Sequence, residues 1–294
     1  MKLTCLFFKV AVYLCHVTEN KLSELLRQVI TLNIRLYYKL IRILILFING
    51  LIITAVIFPT LSVLLSASGA KHKRDQLKTR WLRRFSLILN VQITVEGELP
   101  EPGVILVSNH ISWLDIVVIG QCLPAYFVAK SDILSWPIIG YLARQVGTIF
   151  IRRGDKQHIR ATTEKIIWLL KQNNNIIAFP EGTTTKGDEV LNFHSSLFQP
   201  ALLTKSAILP VALQYHGKAK ESAPFVGDDD FVSHLLRMLS LDKIEVRLCF
   251  LPAINSLGKN RQTLCHESRE SICNKISGYS ALDSVRPATL ESSH

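Results

Sequence analysis

A run of twenty-three uncharged residues, 43–65, limits what this chain can fold into more than any other feature. At about 1.5 Å of rise per residue, a helix of that length covers a hydrocarbon core about 30 Å thick. Pro59 lies inside the run, so the run fits either a kinked spanning helix or a hairpin that enters one leaflet and returns. A buried core helix is the third interpretation. The sequence therefore predicts hydrophobic helices near the N-terminus that bind the membrane.

Basic residues flank this run on both sides. Upstream, four of them share one side of a helical wheel: Arg27, Arg35, Lys39 and Arg42. Downstream, seven lie within fourteen positions that hold a single acid: Lys71, Lys73, Arg74, Lys78, Arg80, Arg83 and Arg84. Basic clusters beside an apolar segment favour the cytoplasmic side and attract anionic headgroups. The net charge of +11 would suit nucleic acid as well as lipid, but the sequence contains no nucleic-acid recognition motif. We therefore expect a phospholipid surface as the partner and no binding of nucleic acid.

Beyond residue 90, apolar runs alternate with helical patterns. The runs predict strands at 91–95, 104–107, 148–151, 176–179, 208–213 and 244–251, and the patterns predict helices at 116–123 and 158–171. This order predicts an α/β fold, a mixed sheet covered by helices, over residues 86–283. Residues 1–85 form the predicted membrane-associating helices and residues 284–294 a disordered tail. Residues 217–230 are polar and predict a surface loop.

His110 is followed five residues later by Asp115, a spacing that can place a proton acceptor beside a carboxylate. Positions five apart lie about 140° apart on a helix, so the pair needs an irregular junction. The predicted strand 104–107 ends just before it, and loops at the carboxyl ends of strands hold ligands in α/β sheets. The pattern therefore favours a catalytic pair. A structural histidine with a satisfied hydrogen bond is the alternative, because the chain has nine histidines and His216 and Glu221 repeat the spacing.

Two further polar sites follow predicted strands in the same way. Arg152 and Arg153 end the run 148–151, and an arginine there suits phosphate or carboxylate. Glu181, Gly182 and Thr183 open a hydroxyl-rich loop after the run 176–179, which suits a polyol or a phosphate. Taken singly, the first site is a strand's exit to water and the second an ordinary turn.

These sites together resemble the family of 1-acylglycerol-3-phosphate acyltransferases and related lysophospholipid acyltransferases. Four blocks stand in the order typical of that family: His110 to Asp115, Phe150-Ile151-Arg152-Arg153, Phe179-Pro180-Glu181-Gly182-Thr183 and Ile208-Leu209-Pro210-Val211. The match covers roughly residues 104–213. The N-terminal 90 residues and the C-terminal third lie outside it.

The resemblance implies that a fatty acyl group moves from a thioester to the free hydroxyl of a lysolipid, giving phosphatidate from 1-acylglycerol-3-phosphate. His110 would be the general base and Asp115 would fix its tautomer, while Arg153, Glu181, Gly182 and Thr183 would hold the acceptor. The donor would be acyl-carrier protein or coenzyme A thioester, with no cofactor and no metal. The expected location is the bacterial inner membrane, with the catalytic domain on its cytoplasmic side.

One position departs from this family pattern. Most phosphatidate-forming members read Glu-Gly-Thr-Arg-Ser, whereas Thr184 stands here in place of the arginine. Bacterial branches with Glu-Gly-Thr-Thr include acyltransferases for lyso-ornithine lipid, a phosphorus-free acceptor. Because Arg153 remains available for a phosphate, lysophosphatidate stays ahead of that acceptor.

Two functions from other classes remain open on the residues alone. A lipid hydrolase would use the same pair to activate water or a serine, but no Gly-x-Ser-x-Gly elbow is present. A silent lipid-binding protein would not need a base beside a carboxylate. Six cysteines without metal or redox spacing predict a reducing compartment and no zinc.

Overall fold

The computed structural model describes residues 34–152 and 156–285. The chain divides into two units between Ile45 and Leu46. The described helices are α1 (Ile34–Leu64), α2 (Ala67–Leu89), α3 (Leu114–Gly120), α4 (Ile139–Gln145), α5 (Lys156–Lys171), α6 (Gln199–Thr204), α7 (Lys218–Ser222), α8 (Phe231–Ser240) and α9 (Arg261–Val285). The strands are β1 (Val91–Glu96), β2 (Ile105–Ser108), β3 (Tyr126–Lys130), β4 (Ile149–Ile151), β5 (Ile176–Ala178), β6 (Ile208–His216) and β7 (Ile244–Phe250).

The seven strands form one sheet in the order β1-β7-β6-β2-β5-β3-β4. β6 and β7 run antiparallel and every other neighbouring pair runs parallel, so the predicted α/β fold with a mixed sheet is confirmed. The residues of β2 and β5 are all buried, as expected for continuous apolar strands with both faces covered. Because β2, β5 and β6 are parallel neighbours, the loops that follow them meet at one edge of the sheet.

Two of the differences between the structure and the predicted elements concern β3 and residues 217–230. The structure adds β3, whose partly exposed apolar run did not predict a strand. It also places the short helix α7 inside the predicted surface loop 217–230. Ala223 and Pro224 of that segment are buried, because the chain there packs against other loops at the end of the sheet.

The uncharged run ends in a helical hairpin. α1 becomes π-helical over Ile53–Ile57, directly before Pro59, whose ring supplies no N–H to the regular helical pattern. The helix ends at Leu64, and the Ser66 hydroxyl caps α2 by accepting a hydrogen bond from the Gly69 N–H. α1 is long and apolar enough, by length and composition, to cross a membrane.

Two contacts show that α2 runs back along the part of α1 beyond Leu46. Trp81 Nε1 donates to the Leu46 carbonyl at 2.9 Å, and Arg74 donates to the Phe58 carbonyl at 2.8 Å. Since Arg74 precedes Trp81 while its partner follows Leu46, the two arms are antiparallel. The basic cluster of the sequence therefore lies on the returning arm.

Both ends of the predicted domain plan fall partly outside the described residues. Residues 1–33, with Arg27 and two of the cysteines, lie outside them, and so do residues 286–294 of the predicted tail. α9 ends at Val285, so the first two tail residues are helical.

Candidate active site

His110 lies between the end of β2 and the start of α3, at the strand-to-helix junction predicted from the sequence. The neighbouring Asn109 fixes this loop by pairing with β6 as a strand would. Its side-chain amide donates to the Leu213 carbonyl at 2.9 Å, and its side-chain oxygen accepts from the Leu213 N–H at 2.9 Å. The backbone at His110 is thus held by the sheet itself.

The structure brings His110 and Asp115 together. Nδ1 of His110 lies 2.8 Å from Oδ2 of Asp115, and the imidazole stacks on the Phe179 ring with centroids 3.9 Å apart. Asp115 is fully buried, whereas the His110 side chain is 17% exposed. With Nδ1 donating to the carboxylate, Nε2 carries the free lone pair of the imidazole.

The Asp115 carboxylate accepts hydrogen bonds from three further donors. Oδ2 accepts from the backbone N–H groups of Ile111, at 2.7 Å, and Ser112, at 2.9 Å. Oδ1 accepts from the Tyr215 hydroxyl of β6 at 2.8 Å. Burial, together with the nearby Asp115 charge, raises the pKa of Tyr215 well above its usual value, so this tyrosine stays a donor. A buried carboxylate is tolerated here because donors surround it.

Glu181 holds the backbone of the loop that carries His110. Oε1 accepts from the His110 N–H at 2.7 Å and Oε2 accepts from the Leu191 N–H at 2.8 Å. Burial raises the pKa of Glu181 above its usual value, although both backbone donors act in the opposite direction. The predicted contact between Glu181 and the acceptor remains a prediction, while the structure shows this carboxylate positioning His110.

The loop after Glu181 lies beside His110. The backbone of Gly182 has a φ of 68°, which suits the tight turn there, and Thr183 is exposed. Thr185 donates its backbone N–H to the His110 carbonyl at 2.9 Å. The loop therefore borders His110 and Asp115, and the binding of the acceptor by Gly182 and Thr183 stays a prediction.

Thr184 joins this loop to the segment 223–230. Its hydroxyl donates to the Phe225 carbonyl, and the Phe225 N–H donates to the Ile111 carbonyl at 2.9 Å. Position 184, where the family pattern given above led us to consider an arginine, is thus occupied by a short neutral side chain whose hydroxyl is already bonded. The sequence showed the substitution, but not this contact, because Phe225 is 41 residues away along the chain.

An aromatic cluster extends the site toward α8. Trp113 Nε1 donates to Nδ1 of His234 at 3.0 Å, and His234 Nε2 lies 3.0 Å from the Ala223 carbonyl. Burial lowers the pKa of His234, which favours the neutral ring that these two contacts require. His234 is therefore a structural histidine. No signal in the sequence pointed to it.

A cavity of about 730 Å³ opens at His110 and runs between the helical hairpin and the sheet. Its catalytic end is bordered by Phe179, Gly182, Thr183 and Thr184. Apolar side chains line most of the remainder, among them Phe58, Leu82, Phe85, Phe127, Trp136 and Ile166. A long apolar cavity that ends at a base can hold an alkyl chain beside a reacting group.

Arg153, the remaining predicted site residue, lies outside the described residues. The residue before it, Arg152, is exposed just after β4. Within residues 34–152 and 156–285, no group of three or more His, Cys, Asp or Glu side chains is placed to hold a metal ion.

A mixed α/β sheet with a histidine bonded to a buried carboxylate beside an apolar cavity is the arrangement expected of a glycerolipid acyltransferase. The acyltransferase family model matches residues 90–214. Lyso-ornithine lipid O-acyltransferase of Pseudomonas aeruginosa is 36% identical over 217 residues, which are 73% of this chain and 84% of that protein. 1-acyl-sn-glycerol-3-phosphate acyltransferase of Neisseria meningitidis serogroup B is 31% identical over 209 residues, which are 69% of this chain and 82% of that protein.

The fold is shared with a solved structure. The crystal structure of the 1-acyl-sn-glycerophosphate (LPA) acyltransferase PlsC from Thermotoga maritima aligns with a TM-score of 0.61 at 21% identity, over 83% of this chain and 98% of that one. The chain therefore belongs to the family of 1-acylglycerol-3-phosphate acyltransferases and related lysophospholipid acyltransferases. Its bacterial relatives in membrane lipid synthesis and its apolar helix indicate association with a membrane.

The position of Glu181 gives a test that separates positioning from acceptor binding. Glutamine has one acceptor oxygen, so Glu181→Gln cannot accept hydrogen bonds from the N–H groups of both His110 and Leu191 with separate oxygens. We therefore expect His110 to shift and kcat to fall about 10- to 100-fold. The KM for the lysolipid should stay unchanged. Steady-state kinetics with a range of acceptor concentrations measures both constants.

Glu189→Gln, an exposed change in the same loop, is the matched control and should leave both constants unchanged. A raised KM with an intact kcat in Glu181→Gln would instead assign Glu181 to the acceptor.

Proposed function

We propose that this protein transfers a fatty acyl group from an acyl thioester to the free hydroxyl of a lysolipid. The observation that carries the proposal is the free Nε2 of His110 at the mouth of an apolar cavity, with the buried Asp115 carboxylate on its other nitrogen. A base in this position can take the proton from the lysolipid hydroxyl. The hydroxyl oxygen then attacks the thioester directly, and no covalent acyl-enzyme is needed.

The reaction proceeds by direct attack on the thioester. The lysolipid oxygen attacks the thioester carbonyl carbon while Nε2 of His110 takes the hydroxyl proton. The C–O bond forms, the C–S bond breaks, and the departing sulfur takes the proton back from the imidazolium. Asp115 stabilises the imidazolium and keeps Nδ1 protonated throughout.

The apolar cavity is the proposed site for the donor's acyl chain. Its walls are hydrophobic, and it opens beside the Nε2 that must lie near the thioester carbonyl. The thiol portion, from acyl-carrier protein or coenzyme A, would then remain outside the cavity. Both donors are anionic and suit the basic surface.

Lyso-ornithine lipid is the acceptor that the described site favours. Thr184 offers no positive charge for a phosphate, and its hydroxyl is already bonded to the Phe225 carbonyl. The carboxylate of ornithine is balanced by the ammonium of the same headgroup, whereas the phosphate of lysophosphatidate is not, so lyso-ornithine lipid depends less on a cation at this position. The 36% identical relative from Pseudomonas aeruginosa and a 34% identical relative from Rhizobium meliloti both carry the name of lyso-ornithine lipid O-acyltransferases.

1-acylglycerol-3-phosphate is the second candidate acceptor. The relative from Neisseria meningitidis is named for that substrate. Arg153 comes two positions after Ile151 in the sequence, and its guanidinium suits a phosphate. Incubating membranes that contain the protein with palmitoyl-coenzyme A and each lysolipid, followed by mass identification of the diacyl product, tests the proposal and orders the two acceptors.

The helical hairpin is the proposed membrane contact. Val63 and Leu64 at its tip are 84% and 72% exposed. Exposure of large apolar side chains to water is unfavourable, and insertion into lipid would remove it. The exposed basic side chains on the returning arm, Lys71, Lys73, Arg80, Arg83 and Arg84, suit anionic headgroups. We assign the hairpin to the cytoplasmic leaflet of the bacterial inner membrane.

Removing the base tests the chemistry directly. His110→Ala should lower acyl transfer by about 10²- to 10⁴-fold, because it removes the group that takes the hydroxyl proton in the proposed mechanism. Binding to anionic vesicles should be unchanged, since the hairpin is untouched. Transfer of a radiolabelled acyl group and vesicle sedimentation are the two measurements.

His266→Ala removes an exposed histidine of α9 and should retain full activity. Undiminished transfer by the His110 variant would refute the mechanism. Release of fatty acid from the lysolipid without any thioester would point to a hydrolase instead.

Restoring the family's arginine tests the acceptor assignment. Thr184→Arg should raise kcat/KM for 1-acylglycerol-3-phosphate relative to lyso-ornithine lipid by about tenfold, because a guanidinium forms a charge-assisted hydrogen bond with phosphate. Competition between the two acceptors for one thioester measures the ratio.

Thr184→Val controls for the lost hydrogen bond to Phe225, since it removes the hydroxyl without adding charge. It should change kcat/KM for both acceptors by the same factor. An equal ratio in the arginine and valine variants would show that position 184 does not select the headgroup.

A further inference from the structure

The buried hydroxyl of Tyr215 makes a contact that the reaction just described does not use. Tyr215 lies near the carboxyl end of β6, and its side chain is almost fully buried behind the catalytic loop. Its hydroxyl donates to Oδ1 of Asp115, whereas the other three donors all meet Oδ2. Among the described hydrogen bonds, Tyr215 therefore supplies the donor to that oxygen.

This contact acts on the same carboxylate that holds His110. While His110 is neutral, the pair carries a net charge of −1, located on buried Asp115. Once the pair takes up a proton, that charge is neutralised and the donor to Oδ1 matters less. A hydrogen bond to the carboxylate therefore stabilises the unprotonated pair more than the protonated pair.

We propose that Tyr215 is a positioning residue that limits the proton affinity of the His110–Asp115 pair, so that His110 remains an unprotonated base at neutral pH. The proposal rests on the proposed acyl transfer and deepens it. Asp115 without Tyr215 would hold the imidazolium more strongly, and the base would be lost to protonation at a higher pH.

The other titratable groups around the pair come from separate elements. Glu181, in the loop after β5, accepts from the His110 backbone, and His194 lines the same cavity. His234 of α8 contacts the site through Trp113. None of these side chains touches Oδ1 of Asp115 in the described structure, so a change at Tyr215 leaves their contacts in place.

The test is the pH dependence of kcat/KM for acyl transfer from palmitoyl-coenzyme A to lyso-ornithine lipid. Under the proposal, activity should fall on the acid side because the protonated pair cannot accept the hydroxyl proton. In Tyr215→Phe the midpoint of this acid limb should move upward by about one pH unit, the size expected when a charged hydrogen bond is lost. The KM for the acceptor should not change.

Tyr279→Phe is the matched control, because it removes the hydroxyl of another buried tyrosine far along the chain in α9. Its acid limb should coincide with that of the unaltered protein. A shift in both variants, or in neither, would overturn the proposal. Absence of transfer by the unaltered protein to either lyso-ornithine lipid or 1-acylglycerol-3-phosphate would instead refute the proposed function.

A second variant keeps the test independent of folding. Replacing Tyr215 site-specifically with 3,5-difluorotyrosine keeps the ring and makes the hydroxyl a stronger donor. The acid limb should then move to lower pH, opposite to the effect of phenylalanine. An unchanged limb in the fluorinated protein would overturn the proposal even if Tyr215→Phe failed to fold.

Discussion

The buried charge of Asp115 is the constraint on which the rest of the site depends. Burying an ionised carboxylate without hydrogen-bond partners costs roughly several kcal/mol of folding free energy. The donors to Asp115 must therefore all be in place when the fold is complete. Two donors come from the turn before α3 and one from β6. The position of Asp115 therefore depends on the parallel pairing of β2 and β6, in which Ser108 lies opposite Val211.

The same pairing sets the direction of the base. Asn109 extends the contact between β2 and β6 beyond the last strand residue, and Glu181 holds the His110 backbone from the loop after β5. The Phe179 ring stacks on one face of the His110 imidazole and restricts the orientation of the imidazole. Three neighbouring strands thus aim one nitrogen at the cavity, which is the preorganisation that general base catalysis requires.

Much of this could be predicted from the sequence, and the reason lies in local chemistry. The apolar run 104–107 followed by Ser108 and Asn109 marks the end of a strand, which predicted the junction at His110. The alternation of apolar runs and helical patterns predicted the mixed sheet. The spacing to Asp115 excludes a shared helical face, which is a property of helix geometry alone. The run of β3 was not predicted as a strand: it is five residues long, ends in Lys130 and is only partly buried, although it pairs with both β4 and β5.

The contacts that sequence reasoning missed are all long-range. Tyr215 meets Asp115 across 100 residues, and Thr184 meets Phe225 across 41. The family resemblance implied that Glu181 binds the acceptor, which stays a prediction; what the sequence did not indicate is that its two oxygens bond to backbone groups brought near by the sheet. Local pattern locates polar residues at strand ends, but the strand order decides whether they contact substrate or one another.

The imidazole tautomer of His110 is the most direct measure of the central claim that Asp115 directs Nε2 into the cavity. Nitrogen-15 NMR of imidazole-labelled protein in lipid nanodiscs, with His110 assigned by its loss in a substituted protein, distinguishes the two ring nitrogens. Above the acid limb of activity, the account predicts a protonated Nδ1 and an unprotonated Nε2, with this preference lost in Asp115→Asn. A protonated Nε2 in the unaltered protein, or a tautomer unaffected by that substitution, would contradict it.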